Sequence, residues 1–299
     1  MRAKIWLYAA RPRTLPLSFS GIILGSLIAF ARNYGDLSIF LWACLTTLFL
    51  QVLANFANDY GDGVKGTDND LCIGPKRAVQ AGYISQSAMR GAVILFALLS
   101  FVSALVLICQ SFSRNHLLVS VFFLMLIAIC IYAAIRYTVG TDAYGYKGWG
   151  DVSVFIFFGL VSVQGTYFLY VYSLDLGVLL LGLAIGLLSM AVLNLNNMRD
   201  IESDRQSGKY TLVVRIGLEK AKLYHIFLVL LPFALGGIFV LLDYKNLLQW
   251  SFFVLLPPIF SHLKRTIAVI DRRDFDPELK KVSLTTLAYA LLMGLGYFC

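Results

Sequence analysis

The chain has 299 residues, 59% of them hydrophobic and 14% charged, with a net charge of +8 and a mean hydropathy of +0.76. That balance excludes an ordinary soluble domain and describes a membrane protein whose surroundings are the lipid bilayer. Nothing in it calls for a nucleic-acid partner.

The N-terminus, MRAKIWLYAARPRTLP, runs straight into a full-length apolar segment, without the short apolar core and small-residue cleavage site of a secretory signal. The first helix is expected to serve as the insertion signal. A spanning helix needs about 20 mostly apolar residues. Nine segments meet that demand, near 15–32, 37–57, 89–109, 117–137, 152–172, 176–196, 222–242, 247–263 and 283–298. The expected fold class is therefore all-α, a bundle of about nine transmembrane helices forming one domain over 1–299.

Basic loops resist translocation. The N-terminus and every second loop after it hold 22 of the 25 Lys and Arg and 14 of the 17 acids, so the whole excess of +8 lies on one face. That face is expected to be cytoplasmic, with the N-terminus on it and the C-terminus outside, in a cytoplasmic (inner) membrane.

The second span ends in NFANDYGDGVKGTDND, residues 55–70, a polar segment holding Asp59, Asp62, Asp68 and Asp70. If the helix continues through it, Asn55 and Asp59, and Asn58 and Asp62, lie four apart, and Asp59 and Asp62 three apart, so all share one side. The sixth span ends in NLNNMRDIESD, where Asn196, Asp200 and Asp204 repeat the spacing. Four spans separate the two motifs, which places both on the same face and raises the expectation of a parallel four-helix repeat. Acids at helix C-termini oppose the macrodipole, so clustering them there is costly unless a cation is bound. Oxygen donors suit Mg²⁺, which takes one or two carboxylates together with substrate phosphate oxygens. Lys65, Arg136, Lys147, Arg199, Arg205 and Lys209 accompany the acids and can grip phosphate.

Cys44, Cys72, Cys109, Cys130 and Cys299 show no paired spacing and are expected to pack as ordinary thiols. His116, His225 and His262 stand apart, with no carboxylate or second His at ligand spacing, and are expected in bland surface or core roles. The pairs Gly21–Gly25 and Gly182–Gly186 fit close helix contact, and Pro257–Pro258 a kink.

Four stretches, ARPRTLP at 10–16, NDYGDGVKGTD at 58–68, YGYKGWGD at 144–151 and NNMRDIESDRQSGKYTL at 196–212, together give the chain a resemblance to the UbiA superfamily of intramembrane prenyltransferases. Within it the chain is most similar to the branch that prenylates 1,4-dihydroxy-2-naphthoate in menaquinone biosynthesis. The resemblance implies a lateral or central cavity for a polyprenyl diphosphate and Mg²⁺ as cofactor. It implies metal-binding roles for Asn55, Asp59, Asp62, Asp68, Asn196, Asp200 and Asp204, with Asp59, Asp62, Asp200, Asp204 and Lys147 catalytic. Asn55, Asn58, Lys65, Arg136, Arg199, Arg205, Lys209 and Tyr146 would contact diphosphate or acceptor. The role of Asp68 is the least regular, because Lys65 stands three residues after Asp62 where the wider superfamily approaches its third acid.

The implied reaction ionises the allylic C–O bond of the donor, and the ring attacks the cation with loss of its carboxyl as carbon dioxide, giving demethylmenaquinone. Phe155, Phe157, Phe158, Tyr167 and Phe168 are candidates to stabilise the passing cation. Transfer to 4-hydroxybenzoate, homogentisate or haem is the alternative within the class. A secondary transporter would instead carry its acids or broken helices near the bilayer midplane.

Overall fold

The computed structural model describes residues 2–66, 73, 77–112 and 116–298, and Asp68, Asp70, Cys72 and Cys299 lie outside them. Among the described residues all regular structure is helical. The long helices are α1 (Arg2–Ala10), α2 (Leu15–Ala31), α3 (Leu37–Lys65), α4 (Gln86–Ser111), α5 (Leu117–Arg136), α6 (Gly150–Val171), α7 (Leu176–Arg199), α8 (Leu218–Leu242), α9 (Leu256–Ala268) and α10 (Phe275–Phe298).

Eight stretches among the described residues are long and apolar enough to cross a membrane, the first joining α1 to α2. The expected span near 247–263 differs: Leu247–Leu255 forms tight 3₁₀ turns before α9 continues the rod. Pro257 and Pro258 stand in the first turn of α9, where proline lacks no hydrogen bond that the helix needs. The chain is a multi-pass membrane protein, and its exposed large side chains, such as Leu98, Leu118, Phe122 and Met125, form the apolar coat a bilayer solvates.

Local signals fix the helix that matters most. Asp36 caps α3, its carboxylate accepting from Ser38 N at 2.7 Å and Ile39 N at 3.3 Å, and Gly66 ends it at φ 64°. Its 29 residues span about 44 Å at 1.5 Å per residue, well beyond the ~30 Å apolar core. The polar end of the second span is therefore helical, as the spacing of its acids requires. On α7 the helix breaks at Asp200 (φ −98°, ψ 11°) and restarts over Ile201–Gln206. Asp204 N still donates to Asp200 O at 2.8 Å, so the acids keep their one-turn offset across the break.

Two cores hold the bundle, a large one among α2, α6, α7, α8 and α10 and a smaller one between α1, α3 and α4. Because lipid competes with apolar side chains for contact, close packing supplies much of the cohesion. Gly159 of α6 meets Gly182 and Gly186 of α7 so tightly that a Cβ on Gly159 would stand 2.6 Å from Gly182 O and Gly186 Cα. At the end opposite the acids, Arg32 donates to Tyr167 Oη and Asp175 at 2.7 Å and to Asp243 at 3.1 Å, tying α2 to α6, α7 and α8.

Candidate active site

The first motif is carried on the last two turns of α3. Asp59 is 1% exposed, and its two oxygens accept from Ala78 N and Val79 N, both at 2.9 Å. One turn on, the buried Asp62 accepts from the Tyr146 phenol and pairs with Arg77, whose guanidinium also donates to Asn58 O at 2.8 Å. Thr138 closes the third side, donating to Ala57 O at 3.0 Å and Asn58 Oδ1 at 3.1 Å. That approach needs Gly61, where a Cβ would fall 2.8 Å from the Thr138 carbonyl.

The second motif faces it. Arg199 forks onto Asp200 through Nε at 3.0 Å and Nη2 at 2.7 Å, and Nη2 also reaches Asn196 Oδ1 at 2.9 Å. Lys209 pairs with Asp204 Oδ1 at 3.1 Å, while Asp204 Oδ2 is buried with no hydrogen-bond partner. Burial lifts the Asp204 carboxyl above the ordinary range; Lys209 opposes this, and the fields of Asp200 and Asp62 reinforce it. For Lys209, burial by itself would lower the ammonium, but Asp204 and Asp62 outweigh it and hold it above its usual value. Acids from both motifs thus act on one ammonium.

Tyr146 stands between the two halves. Its ring lies 3.9 Å under Lys65 Nζ and 6.0 Å from Lys209 Nζ. Tyr210 N donates to Tyr146 O at 2.9 Å, and Arg215 donates to Lys147 O at 2.6 Å, so the 144–149 turn is fastened to the segment that carries Lys209.

An apolar cavity of about 360 Å³ runs from Asn55 and Asn58 down between α2, α3, α4, α5 and α6, past Leu107, Phe157 and Phe158 to Gly165. Of the five aromatic candidates on α6, Phe157 and Phe158 line it. Phe155 instead packs on Gly186, Tyr167 binds Arg32, and Phe168 meets Phe112 edge-on and Phe123 at a tilt. A second recess, of about 890 Å³, opens on the motif face with Lys65, Tyr146, Lys147, Trp149, Tyr210 and Arg215 in its wall.

The remaining expected residues are more peripheral. Asn55 is buried and donates to Ala10 O at 2.8 Å, holding the ARPRTLP segment against α3. Lys147 is more than half exposed and pairs with Asp142 at 2.9 Å. Arg136 contacts its own turn at Val139 O, and Arg205 is exposed. One residue that the sequence did not single out joins the site: Arg77, through Asp62 and Asn58 O.

Among the described residues no three His, Cys, Asp or Glu side chains converge to hold a metal unaided. The donor set nevertheless fits Mg²⁺ in its usual phosphate-bridged mode: two facing carboxylate groups and one orphaned, buried oxygen on Asp204.

Helices with paired aspartates at one end and a greasy cavity beneath them define an intramembrane transferase. The chain belongs to the UbiA prenyltransferase family, whose model matches residues 18–292. It is 41% identical, over 99% of its own length and 96% of the relative's, to 1,4-dihydroxy-2-naphthoate octaprenyltransferase of Escherichia coli (strain K12). Its fold matches an apo structure of a UbiA homolog from Aeropyrum pernix K1 with a TM-score of 0.67 at 16% identity, covering 97% of this chain and 96% of that one. A UbiA homolog from Archaeoglobus fulgidus bound to DMAPP and Mg²⁺ matches with a TM-score of 0.57 at 16% identity, over 94% and 99% of the two chains.

Proposed function

We propose that the chain transfers a polyprenyl group from polyprenyl diphosphate to 1,4-dihydroxy-2-naphthoate, releasing carbon dioxide and diphosphate. The observation that carries this reading is the pair of aspartate motifs facing each other above an apolar cavity, in a chain 41% identical to a naphthoate prenyltransferase. The immediate product is the prenylated hydroquinone, and demethylmenaquinone is its two-electron oxidised form.

Asp59, Asp62, Asn196, Asp200 and Asp204 are the residues that would hold Mg²⁺, which supplies charge neutralisation of the leaving diphosphate when bound. The chain's own part is distinct. Lys65, Arg77 and Lys209 present cations where diphosphate oxygens gather. The cavity takes the tail and keeps water from the allylic carbon, with the faces of Phe157 and Phe158 beside it. The ring carbon bearing the carboxyl attacks, its bond to the carboxylate breaks, and that electron pair restores the aromatic ring as carbon dioxide departs. Tyr146 and Lys147, in the wall of the second recess, receive the anionic acceptor.

The basic, motif-bearing face is cytoplasmic in this reading, because 22 of the 25 Lys and Arg belong to it. A four-helix repeat is supported by the Asn–Asp spacing of four residues that recurs at the ends of α3 (Asn55, Asp59) and α7 (Asn196, Asp200), four spans apart. Incubating the purified protein with a polyprenyl diphosphate and carboxyl-labelled 1,4-dihydroxy-2-naphthoate tests the function. Labelled carbon dioxide should appear one for one with prenylated product. A prenylated acid retaining its carboxyl, or preference for 4-hydroxybenzoate, would overturn the reading.

A further inference from the structure

Arg199 is a buried and closely committed cation of the second motif. Its side chain is 4% exposed, and each of its three nitrogens is engaged. Nε and Nη2 take the two oxygens of Asp200, Nη2 also takes Asn196 Oδ1, and Nη1 reaches across to Asp276 Oδ1 at 2.5 Å in the first turn of α10. Asp276 is 77 residues further along the chain and forms no part of either motif.

We infer that Asp276, acting through Arg199, is a positioning residue for the second aspartate motif. The inference rests on the reading that this motif holds Mg²⁺. A planar guanidinium gripping both oxygens of a carboxylate fixes its plane and leaves only its outer lone pairs for a metal. The fork, however, is only as fixed as its far end. Asp276 holds that end and pins α10 to the terminus of α7. It also corrects the charge. Arg199 alone would cancel Asp200 and blunt its attraction for a cation, and Asp276 returns the trio to a net of −1. Arg199 accordingly orients metal ligands rather than gripping diphosphate, since four of its five N–H donors are already engaged.

A simpler role for Asp276 is that of an acid in the first turn of a helix, stabilised by the helix dipole. The two roles separate in a metal titration. Mn²⁺ added to the detergent-purified protein holding an unreactive prenyl thiodiphosphate, followed by electron paramagnetic resonance, reads binding directly. Asp276→Ala should raise the half-saturating Mn²⁺ concentration by about tenfold, the lower range for loss of an outer partner of a metal ligand. Asp276→Asn, which keeps an acceptor but not the charge, should fall between, and Asp276→Glu should restore most of the affinity. Lowered thermal stability with Mn²⁺ half-saturation within about twofold of the parent would overturn the inference and leave only the dipole role. Should the parent protein with the thiodiphosphate present show no Mn²⁺ binding beyond that of the thiodiphosphate in solution, the metal reading of the motif fails before Asp276 is at issue.

Discussion

The Tyr146 phenol donates its proton to the Asp62 carboxylate while its ring lies under Lys65. One side chain from the loop between the fifth and sixth helices therefore orders both an acid and a base of the first motif. Tyr146→Phe keeps the ring and removes the donor. A hydrogen bond to a charged group contributes about 2 kcal/mol, so kcat/KM should fall by roughly 30-fold with the folded protein unaffected. A steady-state comparison in which the variant matched the parent would show that Asp62 does not need the Tyr146 phenol to orient it.

Asp59, Asp62, Asp200 and Asp204 each changed to Ala should cut turnover by orders of magnitude, and EDTA should abolish it in the parent. Asp36 and Asp243 serve as controls, but the structure alters what they control. Asp36 caps α3 and Asp243 pairs with Arg32. Asp36→Ala should cost about 1 kcal/mol of stability as a lost cap, without touching the rate per folded molecule. Equal loss of turnover in Asp243→Ala and Asp200→Ala at matched protein levels would contradict the placement of the site.

The aspartate motifs were legible in the sequence because their members stand three and four residues apart, on one helix in α3 and across a break at Asp200 that keeps the one-turn offset after α7. Arg77 was not, because it reaches Asp62 from a loop. The histidines show the same limit more sharply. His225 and His262 were expected to stand apart, yet His225 Nε2 meets His262 Nε2 at 2.8 Å, and His262 Nδ1 meets Glu278 at 2.6 Å. These residues are 37 and 16 positions apart, on three different helices, and no local spacing encodes the meeting. Which of the five α6 aromatics line the cavity was not legible for another reason. Phe155–Gly165 is wound in wider π turns, which changes the angle between successive residues and hence which rings face the cavity. The segment near 247–263 reads as one apolar helix from its hydropathy, whereas the structure divides it between 3₁₀ turns and the short α9, and it is not among the eight spanning stretches.

Glu278 is buried and holds His262, Arg265 and Lys281 together, joining α9 to α10. Removing one member of such a cluster leaves the other charges uncompensated, at about 3 kcal/mol. Glu278→Ala should therefore lower the thermal midpoint in detergent well below that of the parent. An unchanged midpoint would mean that water or lipid headgroups replace the carboxylate at no cost.

Gly165 lines the cavity on α6, far along the chain from the motif-facing end of that helix, and a Cβ placed there meets nothing closer than Val161 Cγ1 at 3.9 Å. The position has room for a larger side chain, and its backbone is ordinary right-handed helix. Gly165→Leu should fill that end of the channel while leaving the motifs untouched. Donors with long tails should lose most of their activity, and a five-carbon donor should lose little. A uniform loss across chain lengths would mean that the tail leaves the cavity before reaching Gly165.

Lys147 and the motif acids predict opposite kinetic signatures. The acids act on the donor's diphosphate, common to every acceptor, whereas Lys147 is exposed, paired with Asp142, and set in the wall of the second recess beside Trp149 and Tyr146. An exposed charge contributes at most about 1 kcal/mol to an ion pair, which caps the effect at roughly fivefold. Lys147→Met should therefore raise KM for the naphthoate acceptor by a few-fold, leave KM for the prenyl diphosphate unchanged, and leave kcat nearly intact. The direction of the split is what matters. A higher KM for the diphosphate would move Lys147 to the donor side, and a loss confined to kcat would place it at the reacting carbon.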